Sequence, residues 1–193
     1  RRKKDPNALI PWAALPLIQS SVAFGYNIVN PDVQPDDQQR LTGELTKRAV
    51  QFIKNNAGNP FFLYLPHPMV HVPLYAGEAV RGKSGKGIFA DVLMEIDWSV
   101  GRVLDAVDSI GAANNTLVVF TSDNGPWLSY GTHAGSAGQL RAGTGTLFEG
   151  GYRVPTIMRW KGKIPAGTKT DQLCSTRDVL RTVAQLITAV LPV

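Results

Sequence analysis

The apolar run Leu117-Val118-Val119-Phe120 breaks off into Thr121-Ser122-Asp123-Asn124-Gly125-Pro126. A short stretch of β-branched and aromatic side chains closed by Gly-Pro reads as a strand buried on both faces, as inside a mostly parallel sheet. Asp123 and Asn124 then lie just past its carboxyl end, the edge at which open α/β sheets bind ligands. Two adjacent oxygen-bearing side chains there suit a hard cation such as calcium or magnesium. The same residues also fit a plain turn, because Asp and Asn bond locally to the backbone in turns.

What leads into this strand is strongly periodic. Over residues 89–110, Val92, Leu93, Ile96, Val100, Val103, Leu104, Val107 and Ile110 form one stripe, with Asp91, Glu95, Asp105 and Asp108 largely off it and Gly111 placed to end the helix. Earlier, Asp36 or Asp37 can cap a helix in which Leu41, Leu45, Ala49, Phe52 and Ile53 recur at helical spacing, ending near residues 55–58. After Pro60, Phe61-Phe62-Leu63-Tyr64-Leu65 is a second buried-strand candidate. Helix then strand, twice over, predicts an α/β layer fold. Residues 6–35 carry five prolines and no sustained period, so they read as an irregular excursion with one short strand near 21–26. Residues 154–160 read as a third strand, and 178–190 as a closing helix with Val179, Val183, Leu186, Ile187 and Val190 inward.

With 193 residues and 44% hydrophobic content, the chain has material for one substantial core, either a domain or part of a larger one. Arg1 to Asp5 lack the apolar core of a signal peptide, the start without Met fits a fragment or a processed protein, and no run approaches the roughly 20 residues that span a bilayer. A net charge of +5 and the cluster Arg1 to Lys4 raise a nucleic-acid partner, but the other basic residues are scattered without interleaved aromatics, which argues against it. Cys174, the single cysteine, excludes an internal disulfide and a multi-cysteine metal site.

Three loops remain. Residues 66–73 are stiffened by proline and hold His67 and His71, two of three histidines; an imidazole there could donate to an anionic group or be an ordinary surface side chain. Residues 77–84 match the phosphate-loop pattern G-x-x-x-x-G-K-[ST], but no apolar strand precedes them and Gly85 and Gly87 interrupt the helix that should follow. They read as a flexible basic loop. Residues 127–151 are broken by seven glycines and hold His133, Arg141 and Glu149; so long a loop after a strand is more often functional than incidental.

With these loops in view, the chain resembles the sulfatase family, of the arylsulfatase A and N-acetylgalactosamine-6-sulfatase type. The matching stretches are residues 59–65, His71-Val72-Pro73-Leu74-Tyr75, residues 120–126, His133-Ala134-Gly135-Ser136-Ala137-Gly138, Leu140-Arg141 and Glu149-Gly150-Gly151. The resemblance implies an alkaline-phosphatase-like α/β sandwich, a mostly parallel mixed sheet with helices on both faces, hydrolysing sulfate esters with a divalent cation, usually calcium. Asp123 and Asn124 match two metal ligands, and His71 matches the histidine that bonds the sulfate or the leaving oxygen. His133 and Arg141 fall in the substrate-proximal loop, and Thr144 stands where the family generally has a sulfate-contacting lysine.

The family's first aspartate pair, its nucleophile motif of Cys or Ser followed by x-Pro-x-Arg, and its carboxy-terminal subdomain have no counterpart here. Cys174 precedes Ser175-Thr176-Arg177 and does not match that motif, so formylglycine is expected only in an amino-terminal part outside this sequence. Residues 1–193 are thus expected to be a partial catalytic domain, inactive alone, with residues 36–193 as its α/β core. The implied partner is a sulfated small molecule or glycan, and the implied location is secreted, periplasmic or lysosomal. A phosphate or phosphonate ester hydrolase of the same superfamily and a non-catalytic binder of sulfated glycans are the alternatives.

Overall fold

The computed structural model describes residues 15–189, so the basic cluster Arg1 to Lys4 and the start of the proline-rich segment lie outside it. Two compact units divide the chain, Arg1–Ala106 and Val107–Val193.

In the first unit, strands β1 (Leu17–Ser21) and β2 (Gly25–Asn30) form an antiparallel hairpin, with Ser21 opposite Gly25. One short strand was expected over part of this segment. The pairing escaped the pattern because Gln19, Ser20, Ser21 and Asn27 break the apolar alternation, and both faces of the hairpin are largely exposed. Helix α1 (Pro35–Asn55) begins one residue ahead of the expected caps, since proline fixes the φ that the first helical turn needs. Asp37 works backwards from the third helical position: its carboxylate accepts the Gln34 N–H and the Asn30 amide, each at 2.9 Å. These bonds, the Gln34 amide foremost, hold its carboxyl below the usual range.

Residues 61–65 form no regular element and have no ladder partner among the described residues, so the second strand expected there is not formed. Its alternation survives, with Phe62 and Tyr64 exposed and their neighbours half-buried. The following loop folds back, and Met69, Leu74 and Ala76 pack with Val92 and Ile96 of helix α2 (Ile88–Ser109). Fully burying a side chain such as Val92 contributes about 1.5–3 kcal/mol.

The second unit takes up the last turn of α2, which Gly111 ends at φ +72. Strand β3 (Val118–Thr121) pairs antiparallel with β4 (Thr156–Arg159), Val119 opposite Met158. Both strands were expected. Burial of β3 on both faces is not observed, since Phe120 is exposed and no parallel pair forms among the described residues. A four-residue helix, α3 (Glu149–Tyr152), interrupts the glycine-rich stretch expected to be irregular. Helix α4 (Thr176–Leu186) starts two residues earlier than expected because Ser175 and Asp178 form a capping box. Val179, Leu186 and Ile187, expected inward, are exposed, and Val190 lies outside the described residues. Cys174 is exposed. Among the described residues no helix is long and apolar enough to cross a membrane.

Candidate functional site

Strand β3 delivers Asp123 and Asn124 into a loop anchored at its start by the Thr121 and Thr156 hydroxyls, 2.9 Å apart. Ser122 Oγ donates to the Asn124 carbonyl at 2.9 Å and closes the turn. Three separate stretches then meet. Gly125 N–H donates to the Gly151 carbonyl, Thr144 N–H to the Pro126 carbonyl and Gly150 N–H to the Arg141 carbonyl, each at 2.9 Å. The Thr144 hydroxyl donates to Asn124 Oδ1 at 3.0 Å.

Glycine permits this approach. A Cβ at Gly125 would overlap the Gly150 carbonyl oxygen, one at Gly143 the Pro126 oxygen, and one at Gly150 the Ala142 oxygen. At Gly151 it would lie 2.6 Å from the Thr146 oxygen. Sequence reasoning took these glycines as breakers of regular structure; here they are contact surfaces. The signal that could have shown it is the adjacent pair Gly150-Gly151 directly after Glu149, where two glycines open a helix that favours neither.

The candidate residues are placed as follows. Asp123 and Asn124 are exposed neighbours, and Thr144 is joined to Asn124. The Arg141 guanidinium sits 3.7 Å above the Phe148 ring, a cation–π contact that holds it there. Glu149 pairs with Arg153 at 3.2 Å on the surface. His133 ends a 3₁₀ segment, Leu128–His133, kinked at Gly131, and is exposed. His71 belongs to the first unit; its Nδ1 is 2.6 Å from the Val72 carbonyl, which can only accept, so Nδ1 carries a proton.

Asp123 and Asn124 offer hard oxygen donors of the kind calcium or magnesium takes, and in that respect they fit a divalent cation. They supply two side chains, whereas calcium takes about six to eight oxygens. Among the described residues no group of three or more His, Cys, Asp or Glu could hold a metal ion.

The phosphate-loop lookalike has its amides committed elsewhere. Gly82 and Ser84 N–H donate to the Asp91 carboxylate at 2.8 and 3.0 Å, and Gly77 N–H donates to Glu95 at 3.0 Å. These two carboxylates, expected off the buried stripe of α2, are only 3% and 7% exposed because the loop folds over them. They occupy the position an anionic ligand would need. Arg81, the loop's first cation, is directed to Gln39 and the Ala76 carbonyl. The Ser84 hydroxyl first, then the Ser84 and Gly82 amides, hold the Asp91 carboxyl below its ordinary 3.8. Stability from this ionisation is complete above that value and is lost as pH falls through the folded one. Asp91→Asn is therefore expected to lower the urea midpoint at pH 7 and to cost much less near pH 3. Equal costs at both pH values would contradict the assignment.

The Sulfatase family model matches residues 17–189. The chain belongs to the sulfatase family. Human steryl-sulfatase is 43% identical over 164 residues, 82% of this chain, and bovine arylsulfatase A 46% over 135 residues, 70% of the chain. N-acetylgalactosamine-6-sulfatase from dog is 41% identical over 152 residues, 77% of the chain. The chain spans only 28%, 26% and 29% of the lengths of these three sulfatases. A sulfatase crystal structure from Pseudoalteromonas sp. superposes with a TM-score of 0.86 at 29% identity, covering 91% of this chain and 36% of that one. The loops around Asp123, Thr144 and Gly150 are therefore built on a sulfatase framework.

Proposed function

We propose that this chain is part of a metal-dependent sulfuric ester hydrolase acting on an aryl or carbohydrate sulfate, within an alkaline-phosphatase-like sandwich whose remaining strands other parts of the protein supply. The observation that carries this reading is the convergence, through backbone hydrogen bonds, of the Asp123-Asn124-Gly125, Arg141 to Thr144 and Glu149-Gly150-Gly151 stretches, three segments of the second unit that each include residues resembling the family. Asp123 and Asn124 would hold a divalent cation, calcium by family resemblance. When bound, such a cation offsets charge on the sulfuryl oxygens. His71 donates to the departing oxygen. Since Nδ1 is directed to Val72, the nitrogen left for that donation is Nε2. A formylglycine nucleophile, the family's, would come from outside this sequence, and the family's location is secreted, periplasmic or lysosomal.

The test is to assay the natural protein carrying this chain on p-nitrophenyl sulfate and p-nitrophenyl phosphate, with and without chelator, beside residues 1–193 alone. Chelator-sensitive sulfate cleavage by the former and none by the latter is expected. Preference for the phosphate ester would favour the phosphatase relatives, and binding of sulfated glycan without turnover would favour a lectin-like role.

Thr144 has a definite part in this reading. Its hydroxyl turns Asn124 Oδ1 and leaves that oxygen a second lone pair. Outer partners of a metal ligand typically account for about 10–100-fold in affinity. Thr144→Val in the natural protein is therefore expected to weaken calcium binding by that factor in calorimetric titration, with Thr144→Ser near the native value. Unchanged affinity in Thr144→Val would remove the orienting role.

A further inference from the structure

His67 shares a loop with His71, but it is turned into the protein. Thr46 Oγ1 lies 2.6 Å from the Thr42 carbonyl and 2.6 Å from Ser99 Oγ, and Ser99 Oγ lies 3.1 Å from His67 Nε2. Thr42, Thr46 and Ser99 are each at most 2% exposed, so no competing water is at hand. A carbonyl only accepts, and each hydroxyl has one proton. The Thr46 proton must therefore go to Thr42, and the Ser99 proton to Thr46. Only His67 is left to supply the third, so Nε2 carries hydrogen. His67 Nδ1 is buried with no partner. As a bare acceptor it is tolerable; as an N–H it would be an unsatisfied buried donor.

We propose that His67 is a positioning residue: fixed as the neutral Nε2–H tautomer, it donates to Ser99 and tethers the loop bearing His71 to helices α1 and α2. The link to catalysis rests on the sulfatase reading of His71. The elements around His67 bring no opposing charge. Glu44, Lys47 and Arg48 of α1 and Asp97 of α2 are exposed, and Asp91 and Glu95 are taken by backbone amides. Burial alone lowers the His67 pKa below 6.5. The folded state thus binds its proton later than the unfolded state, so the stability His67 supports is full above 6.5 and declines as pH falls toward its folded value. Acid loosens the tether.

The experiment is long-range proton–nitrogen NMR of the natural protein with nitrogen-15 histidine, His67 being assigned by His67→Gln, together with hydrogen exchange at the His71 amide in Ser99→Ala. The expected result is an Nε2–H signature that persists below pH 6.5, and exchange about tenfold faster in Ser99→Ala, from the orphaned donor it leaves. An Nδ1–H tautomer, an ordinary titration near 6.5, or unchanged exchange would each overturn the tether. Sulfate cleavage alongside any of these leaves the sulfatase reading intact. Absence of cleavage with the expected NMR and exchange refutes that reading and supports the tether.

Discussion

Gly125→Ala is expected to destabilise the natural protein by about 3 kcal/mol or more, at the upper end of what overpacking costs. The obstacle is the Gly150 carbonyl oxygen, a backbone atom that cannot swing aside as a side-chain tip would. Relief requires parting Gly125 from Gly151, which breaks their 2.9 Å hydrogen bond and pulls on the Arg141 to Thr144 loop bonded to the same two segments. Gly43→Ala is the control. Gly43 lies inside α1 with open space around its Cβ direction and no positive φ, so alanine should stabilise by about 0.5–1 kcal/mol. Urea midpoints of both variants check the pair, and a Gly125→Ala midpoint at the native value would show that the close approach is absent in solution.

His71→Ala is expected to lower kcat of the natural protein on a sulfate ester by about 10²–10⁴-fold, the usual contribution of a positioned proton donor. Stability should change little, because His71 is exposed. The loss should fall on kcat more than on KM if the bond strengthens as the leaving oxygen gains charge. A comparison with an activated ester sharpens the test: a leaving group that departs without protonation should lose much less. Equal losses on good and poor leaving groups would assign His71 to binding the sulfate.

Helices α1 and α2 and strand β3 were legible in the sequence, through the α1 stripe, the α2 stripe and the apolar run before Asp123. Residues 61–65 show where such reading stops. Their composition is that of a strand, but a strand exists only with a neighbour to bond, and composition does not name that neighbour. The hairpin at Leu17–Ser21 and Gly25–Asn30 is the reverse case, paired without a clear pattern. At the site, Asp123, Asn124 and Thr144 are marked by their motifs, whereas the bond from Thr144 to Asn124 joins residues twenty apart and follows from the fold alone. The placement of Arg141 over Phe148 was likewise out of reach, since two residues seven apart in an irregular loop share no period that would bring them together. Asp91 and Glu95 misled the amphipathic reading because a buried carboxylate satisfied by backbone amides looks, in sequence, like a solvated one.

The four close-packed glycines also affect how a saturation scan of this protein would read. Positions 125, 143, 150 and 151 should reject every side chain, alanine included, and so rank beside Asp123 and His71 in any score based on lost activity. Their intolerance is steric and has nothing to do with proton transfer or cation binding. Abundance measured alongside activity would separate the two groups: the glycine variants should disappear from the soluble pool, while His71 and Asp123 variants should accumulate as folded, silent protein.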